Sequence, residues 1–264
     1  MTRTWDDAAP LHRGGHGEPL VLLHGVTSTW HAYKPVIEAL EQDFDVIAPT
    51  LPGHLGWPWP DGSSHGIAAM GDLIADRLAE LGVERPHLVG NSLGGWIALD
   101  LAARGKARSV TALSPAGGWS FPLDVGPVFL PAQAKIAEMR PQAAEILADP
   151  ERRQRLMLPY LEHGERVPPA DAVLGWDGVL AVDTLPEMLA AFPEPVLAPV
   201  PESVPVSIAW GTAERLLPES LGAPGWLAAA PAAITSRIEG AGHMPMYDAP
   251  DAVVELIRST AARA

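Results

Sequence analysis

A hydroxyl, an imidazole to take its proton and a carboxylate to hold the imidazole make an oxygen nucleophile at neutral pH. This chain offers a serine in Gly90-Asn91-Ser92-Leu93-Gly94-Gly95, where an apolar strand pattern, Pro86 to Asn91, gives way to a helical one, Leu93 to Arg104. A sharp strand-to-helix turn of this G-x-S-x-G kind lifts a serine hydroxyl to the top of a sheet. So tight a turn needs neighbours without side chains, because a Cβ at Gly90 or Gly94 would collide with the adjoining strand and helix. With Ser92 at the helix mouth, free N–H groups and the positive end of the helix dipole face any negative charge that develops there. Leu93 matters in this reading for its N–H.

Upstream, the apolar run Pro19-Leu20-Val21-Leu22-Leu23 ends in His24-Gly25-Val26-Thr27, a buried parallel strand opening into a loop. Such a loop can offer a second N–H, that of Val26, to the oxyanion of a tetrahedral intermediate. His24 itself is read as a brace for that loop. Downstream, Ala241-Gly242-His243-Met244-Pro245 follows the strand-like Ala233 to Ile238 and precedes an amphipathic helix, Pro250 to Ala262. A histidine on a glycine-flanked loop after the last strand can lean over the sheet towards Ser92. The histidines at 12, 16, 31, 54, 65, 87 and 163 lack that placement and are read as structural or solvated.

The acid that orients His243 is expected between the serine and the histidine in chain order. The strand Val204 to Trp210 exits into Gly211-Thr212-Ala213-Glu214-Arg215, and Glu214 on that loop can accept the far ring N–H of His243. A solvated glutamate paired with Arg215 is the alternative, and Asp177, Asp183 and Asp248 are less well placed substitutes.

The elements that must position these groups alternate strand and helix from Pro19 to Ser114, the pattern of a parallel sheet covered on both faces. Strands are expected at Pro19 to His24, Phe44 to Ala48, Pro86 to Asn91 and Ser109 to Leu113. Ser64 is expected to cap a helix carrying Ile67, Met70, Ile74, Leu78 and Leu81. From about Trp119 to Pro201 the alternation fails, and segments such as Ala132 to Ala148 and Pro150 to His163 read as helices between prolines. An insertion of this length is too long for a bare loop and is expected to be a helical cap. The expected division is a core of residues 1–118 and 202–264 with a cap of residues 119–201.

With the strand-His-Gly loop, Ala48-Pro49-Thr50-Leu51-Pro52-Gly53-His54, the serine turn, the Gly-x-x-acid loop and the terminal Gly-His in this order, the chain resembles the α/β-hydrolase superfamily. The resemblance runs from about Glu18 to the C-terminus and is of the serine esterase and lipase kind, with a helical cap. It implies a mostly parallel central sheet flanked by helices, Ser92 as nucleophile, His243 as base, Glu214 as acid, the N–H groups of Val26 and Leu93 as oxyanion hole, and no cofactor or metal. The chain departs from the family pattern at Glu214, where aspartate is more usual, at Thr50, and at Leu55-Gly56-Trp57. Its short segment before Glu18 implies that the first strands are truncated.

Composition narrows the partners. The 264 residues are 47% hydrophobic, enough to bury a large core, and 32 acidic against 18 basic residues give a formal charge of −14. Nucleic acid and anionic membrane surfaces are therefore not expected partners. The absence of cysteine excludes disulfides and thiolate catalysis. Met1 to Asp7 lack the apolar core of a leader, so a cytoplasmic location is the default expectation. A cap over the strand ends would exclude water, with Trp30, Trp57, Trp119, Phe121 and Trp176 as candidate lining for a small neutral, largely apolar ester. A carbon–carbon hydrolase of the meta-cleavage type would use the same three residues. Epoxide hydrolase and dehalogenase chemistry is disfavoured, because those relatives place aspartate where this chain has Ser92. A non-catalytic ligand receptor is the reading from another class.

Overall fold

The computed structural model describes residues 6–192 and 197–264. Residues 1–5, part of the segment read above for a leader, and residues 193–196 of the expected cap lie outside them. The strands are β1 (Leu11–Gly15), β2 (Glu18–Leu23), β3 (Phe44–Pro49), β4 (His87–Asn91), β5 (Ser109–Leu113), β6 (Val206–Gly211) and β7 (Ile234–Ile238). They form one sheet in the order β1-β3-β2-β4-β5-β6-β7. All neighbours pair in parallel except β1, which runs antiparallel to β3.

Continuous apolar runs in the central strands are what a sheet covered on both faces demands. The strand period of two sends Leu20 and Leu22 to one layer and Val21 and Leu23 to the other. The first layer is covered by α1 (Lys34–Leu40) and by the last helix of the chain, the second by α2 (Ile67–Glu80) and α3 (Leu93–Ala103). β1 was not expected. Leu11-His12-Arg13-Gly14-Gly15 has a single apolar residue, and edge pairing holds it, with His12 Nε2 2.7 Å from Glu41 and Arg13 Nη2 2.6 Å from Asp45.

Ser64 does not cap α2. The helix starts from Gly66, and the Ser64 hydroxyl instead accepts the Gly66 N–H at 3.3 Å, closing a turn before it. A serine caps only from the residue adjoining the first turn, and Ser64 stands two residues too early.

Between β5 and β6 lie α4 (Gly126–Met139), α5 (Ala143–Ala148), α6 (Pro150–Met157), α7 (Pro169–Leu180) and α8 (Leu185–Ala190). The helix expected over Ala132 to Ala148 is broken by a 3₁₀ turn, Arg140–Gln142, with proline at its second residue. The one expected to reach His163 stops at Met157: Leu158 is still helical at φ −53° and ψ −31°, but Pro159 has no N–H with which to continue the ladder. The insert packs a cluster of its own around Leu147, Leu161, Val167 and Trp176, while Phe129, Leu185, Met188 and Leu189 join the core. The chain closes with α9 (Glu219–Ala229), α10 (Pro245–Asp248) and α11 (Pro250–Ala261). Among the described residues no helix is long and apolar enough to cross a membrane.

Candidate active site

The strand order fixes where a site can be. From β2 the chain moves outward to β3 and then returns to the other side of β2 as β4, so the loops leaving β2 and β4 part and flank a crevice. Ser92 leaves β4 and His24 leaves β2, which puts both at the carboxyl edge of that crevice.

Ser92 is buried and adopts φ 55° and ψ −118°, a strained conformation for a residue with a side chain. Two glycines make it reachable. A Cβ at Gly90 would stand 2.1 Å from the Gly94 carbonyl oxygen, and one at Gly94 would stand 2.0 Å from that of Leu23. Such strain costs on the order of 1–3 kcal/mol and persists only where the surroundings hold it.

The loop after β2 presses against the serine, so that a Cβ at Gly25 would lie 3.2 Å from the Ser92 Cβ. Two buried histidines brace it. His24 donates from Nδ1 to the Gly25 carbonyl at 2.8 Å and accepts the Leu51 N–H on Nε2 at 2.8 Å. His54 repeats the pattern, donating to the Pro52 carbonyl at 3.0 Å and accepting the Thr27 N–H at 3.2 Å. Accepting an N–H requires a bare ring nitrogen, so both rings are neutral Nδ1–H tautomers. Burial drives the His24 pKa well below that of a free histidine and brings that of His54 down to about 4. The Val26 and Leu93 N–H groups meet no internal acceptor among the described residues.

His243 follows β7 and is buried. Its Nδ1 lies 2.8 Å from Glu214 Oε2, while Nε2, on the opposite side of the ring, is buried with no partner among the described residues. The other carboxylate oxygen, Oε1, accepts the N–H groups of Leu216 at 2.8 Å and Leu217 at 2.9 Å. Burial pushes the Glu214 pKa up, but His243, the Leu217 N–H and the neighbouring Ser114 hydroxyl outweigh it, and the net shift is downward. The extra methylene of glutamate is absorbed by this turn, which closes through the Glu214 N–H on the Gly211 carbonyl at 3.2 Å.

The serine and histidine loops are tied together by Asn91, whose side-chain amide donates to the His243 carbonyl at 2.8 Å and to that of Leu113 at 3.1 Å. The structure thus brings Ser92, Val26, Leu93, His243 and Glu214 to one edge. It takes the other acids elsewhere. Asp177 pairs with Arg140, Asp183 is exposed, and Asp248 accepts backbone N–H groups.

The aromatic residues disperse. Trp30 is fully buried in the layer under α1, where its indole N–H donates to the Ala9 carbonyl. Trp57 lines a separate hollow of about 450 Å³ with Pro10, Leu11 and Leu73. Neither can wall a substrate beside Ser92, because one is sealed in the core and the other stands beside β1 at the sheet edge. Phe121 is 51% exposed. Trp119 meets Trp96 edge-on at 5.5 Å, just beyond Ala116, whose N–H donates to the Ser92 carbonyl at 2.9 Å. Trp176 belongs to the insert's own cluster, which Met244 joins.

Sequence reasoning missed the parts played by Asn91 and His54. A side-chain amide directly before the serine was a usable signal for the first. Nothing in the spacing of His54 announced the second. Among the described residues no group of histidines and carboxylates is arranged to hold a metal.

Residues 20–256 match the model of a family described as the alpha/beta hydrolase family. The chain belongs to the alpha/beta hydrolase family. It is 33% identical to epoxide hydrolase EphH of Mycobacterium tuberculosis over 206 residues, covering 73% of this chain and 93% of that protein. Over 120 residues it is 35% identical to 2-hydroxy-6-oxo-2,4-heptadienoate hydrolase of Pseudomonas putida, 44% of each chain. The solved enol-lactonase of Burkholderia xenovorans superposes with a TM-score of 0.73 at 18% identity, covering 96% of this chain and 95% of that one, a likeness of fold. As an alpha/beta hydrolase, the protein has relatives named for several substrates, and the fold does not choose among them.

Proposed function

We propose that this hydrolase cleaves neutral, largely apolar carboxylic esters through an acyl-enzyme. The observation that carries the reading is the state of His243, with Nδ1 held by Glu214 at 2.8 Å and a buried Nε2 left over at the edge where Ser92 sits. Nε2 takes the Ser92 proton, and the oxygen attacks the acyl carbon while the N–H groups of Val26 and Leu93 receive the oxyanion. The imidazolium, held by Glu214, then protonates the leaving alcohol. A water activated by the same nitrogen releases the acid and restores the serine.

Charge pairing supports a neutral substrate. On the insert, Asp171 and Asp177 of α7 engage Lys34 and Arg140, so the cations at this helix are already matched by carboxylates. The Trp119 segment and the Trp176 cluster are the candidate apolar walls, and the insert over the strand ends is the lid. The alternative raised by EphH meets a chemical obstacle. A serine oxygen that opened an epoxide would form an ether, which water activated by histidine cannot cleave, whereas an acyl-serine is an ester and turns over.

The carbon–carbon hydrolase reading shares all three residues and is favoured by the likeness to the Pseudomonas putida enzyme. Purified protein against nitrophenyl esters from acetate to laurate, a vinylogous diketone and an epoxide separates the three, with Ser92→Ala as control. Ester hydrolysis lost in the control is the expected result. Turnover of the diketone or epoxide with none of any ester would overturn the proposal.

A further inference from the structure

Asp248, at the end of α10, is a buried carboxylate that the chemistry above does not use. Its Oδ2 accepts the N–H groups of Gly242 at 2.8 Å and Glu162 at 2.9 Å, and its Oδ1 accepts that of His163 at 2.8 Å. Gly242 directly precedes His243, whereas Glu162 and His163 belong to the insert. On the other side of His243 along the chain, the Met244 N–H donates to the Tyr160 carbonyl at 2.9 Å. The approach is close, since a Cβ at Gly242 would lie 2.9 Å from the Tyr160 oxygen and 3.2 Å from the Leu161 Cα. Arg166 of the insert also donates to the Asp248 carbonyl at 3.1 Å.

Both backbone neighbours of His243 are therefore committed to residues 160–163, one directly and one through Asp248. Two oxygens of one carboxyl group accept three N–H groups converging from two segments, which the single oxygen of an amide in its place would not do. We propose that Asp248 is a positioning residue that makes the His243 loop and residues 160–163 one unit, so that the insert stays docked on this side while the enzyme turns over. The proposal rests on the reading of His243 as the base.

Its test is Asp248→Asn, which keeps the shape and turns one acceptor into a donor facing an N–H. The expected result is kcat lower by about a hundredfold with KM nearly unchanged, because a misplaced base affects the transition state more than binding. The acid limb of the pH–rate profile moves with it. A second readout needs no turnover. The proton between His243 Nδ1 and Glu214, to be identified by its absence from His243→Gln, is expected far downfield by NMR in the wild type and is expected to broaden or vanish in Asp248→Asn. Were the wild type to cleave no ester, that loss would still sustain the positioning role while the ester reading failed. An unchanged downfield proton, or kcat and KM unchanged in the folded fraction of a merely less stable variant, would overturn the proposal. If Asp248→Asn does not fold, hydrogen exchange on the wild type decides. The Gly242, Glu162 and His163 amides are expected to share one protection level, and fast exchange at Glu162 and His163 beside a protected Gly242 would overturn it.

Discussion

Two regions at the same sheet edge use histidine in opposite ways. In the loops after β2 and β3, His24 and His54 have both ring nitrogens occupied by backbone groups, one donating and one accepting. After β7, His243 has one nitrogen occupied by Glu214 and the other unpartnered among the described residues. A ring with both nitrogens spoken for is a clamp, since moving a proton through it would break a buried hydrogen bond. A ring held by a carboxylate on one side and open on the other can exchange a proton without losing its place. Residue type is identical in the two regions, and what differs is the partner count.

The hardest test of that contrast is to remove each ring in turn. His243→Gln is expected to lower turnover on the order of a millionfold, comparable with the loss of the serine itself, as residues that act as a unit do. Residual ester hydrolysis within tenfold of wild type, measured with Ser92→Ala alongside, would break it. Glu214→Gln comes next, with turnover lower by up to about ten-thousandfold, since the amide no longer stabilises the imidazolium. Kinetics near wild type would mean that the acid lies elsewhere.

His54→Phe should have a much smaller effect. It fills the space but leaves the half-buried Thr27 N–H without its acceptor, for an expected loss of up to about 1 kcal/mol of stability. Because the adjoining Val26 N–H loses its brace, kcat is expected to fall by less than the roughly hundredfold to thousandfold of deleting an oxyanion donor outright. Chemical denaturation and steady-state kinetics on one preparation check both numbers. A drop as large as that of His243→Gln would show that His54 takes part in proton transfer and would erase the contrast.

How legible these regions were follows the same line. The placement of the serine turn, terminal Gly-His and acid loop could be read because each lies at the end of a strand, and most of those strands announced themselves by unbroken apolar runs. β1 could not be read, since Leu11-His12-Arg13-Gly14-Gly15 owes its extended form to pairing with β3 rather than to its own pattern. The expected lining was no more than a list of aromatic residues. Trp30 and Trp57 look alike in sequence, yet one is sealed under α1 and the other lines an edge hollow, because burial depends on which layer an element packs against. His54 was read as structural or solvated and Asp248 only as a substitute acid, and the contacts they make in the fold were invisible for a related reason. Their partners are backbone groups of distant segments, and a backbone N–H leaves no mark in a sequence.

Acid titration probes the clamps more gently than substitution. The His54 pKa is brought down to about 4 by burial, and that of His24 well below the ordinary value, while in the unfolded chain both sit near the free-histidine value of about 6.5. Protons therefore bind the unfolded chain first. The stability that the neutral rings confer is complete above about 6.5 and is lost progressively as the pH falls from there towards about 4. The melting midpoint is expected to decline across that window, and His54→Phe, starting lower, should decline less steeply because one of the three linked histidines is gone, His31 being the third, its pKa also brought down to about 4 by burial. The residual slope belongs to His24 and His31, whereas the lowered pKa of Glu214 makes its own contribution fade only below the ordinary carboxylate range. Parallel curves for the two proteins between pH 6.5 and 4 would mean that His54 is not held neutral by the fold, and its role as an acceptor for the loop beside Ser92 would fall with it.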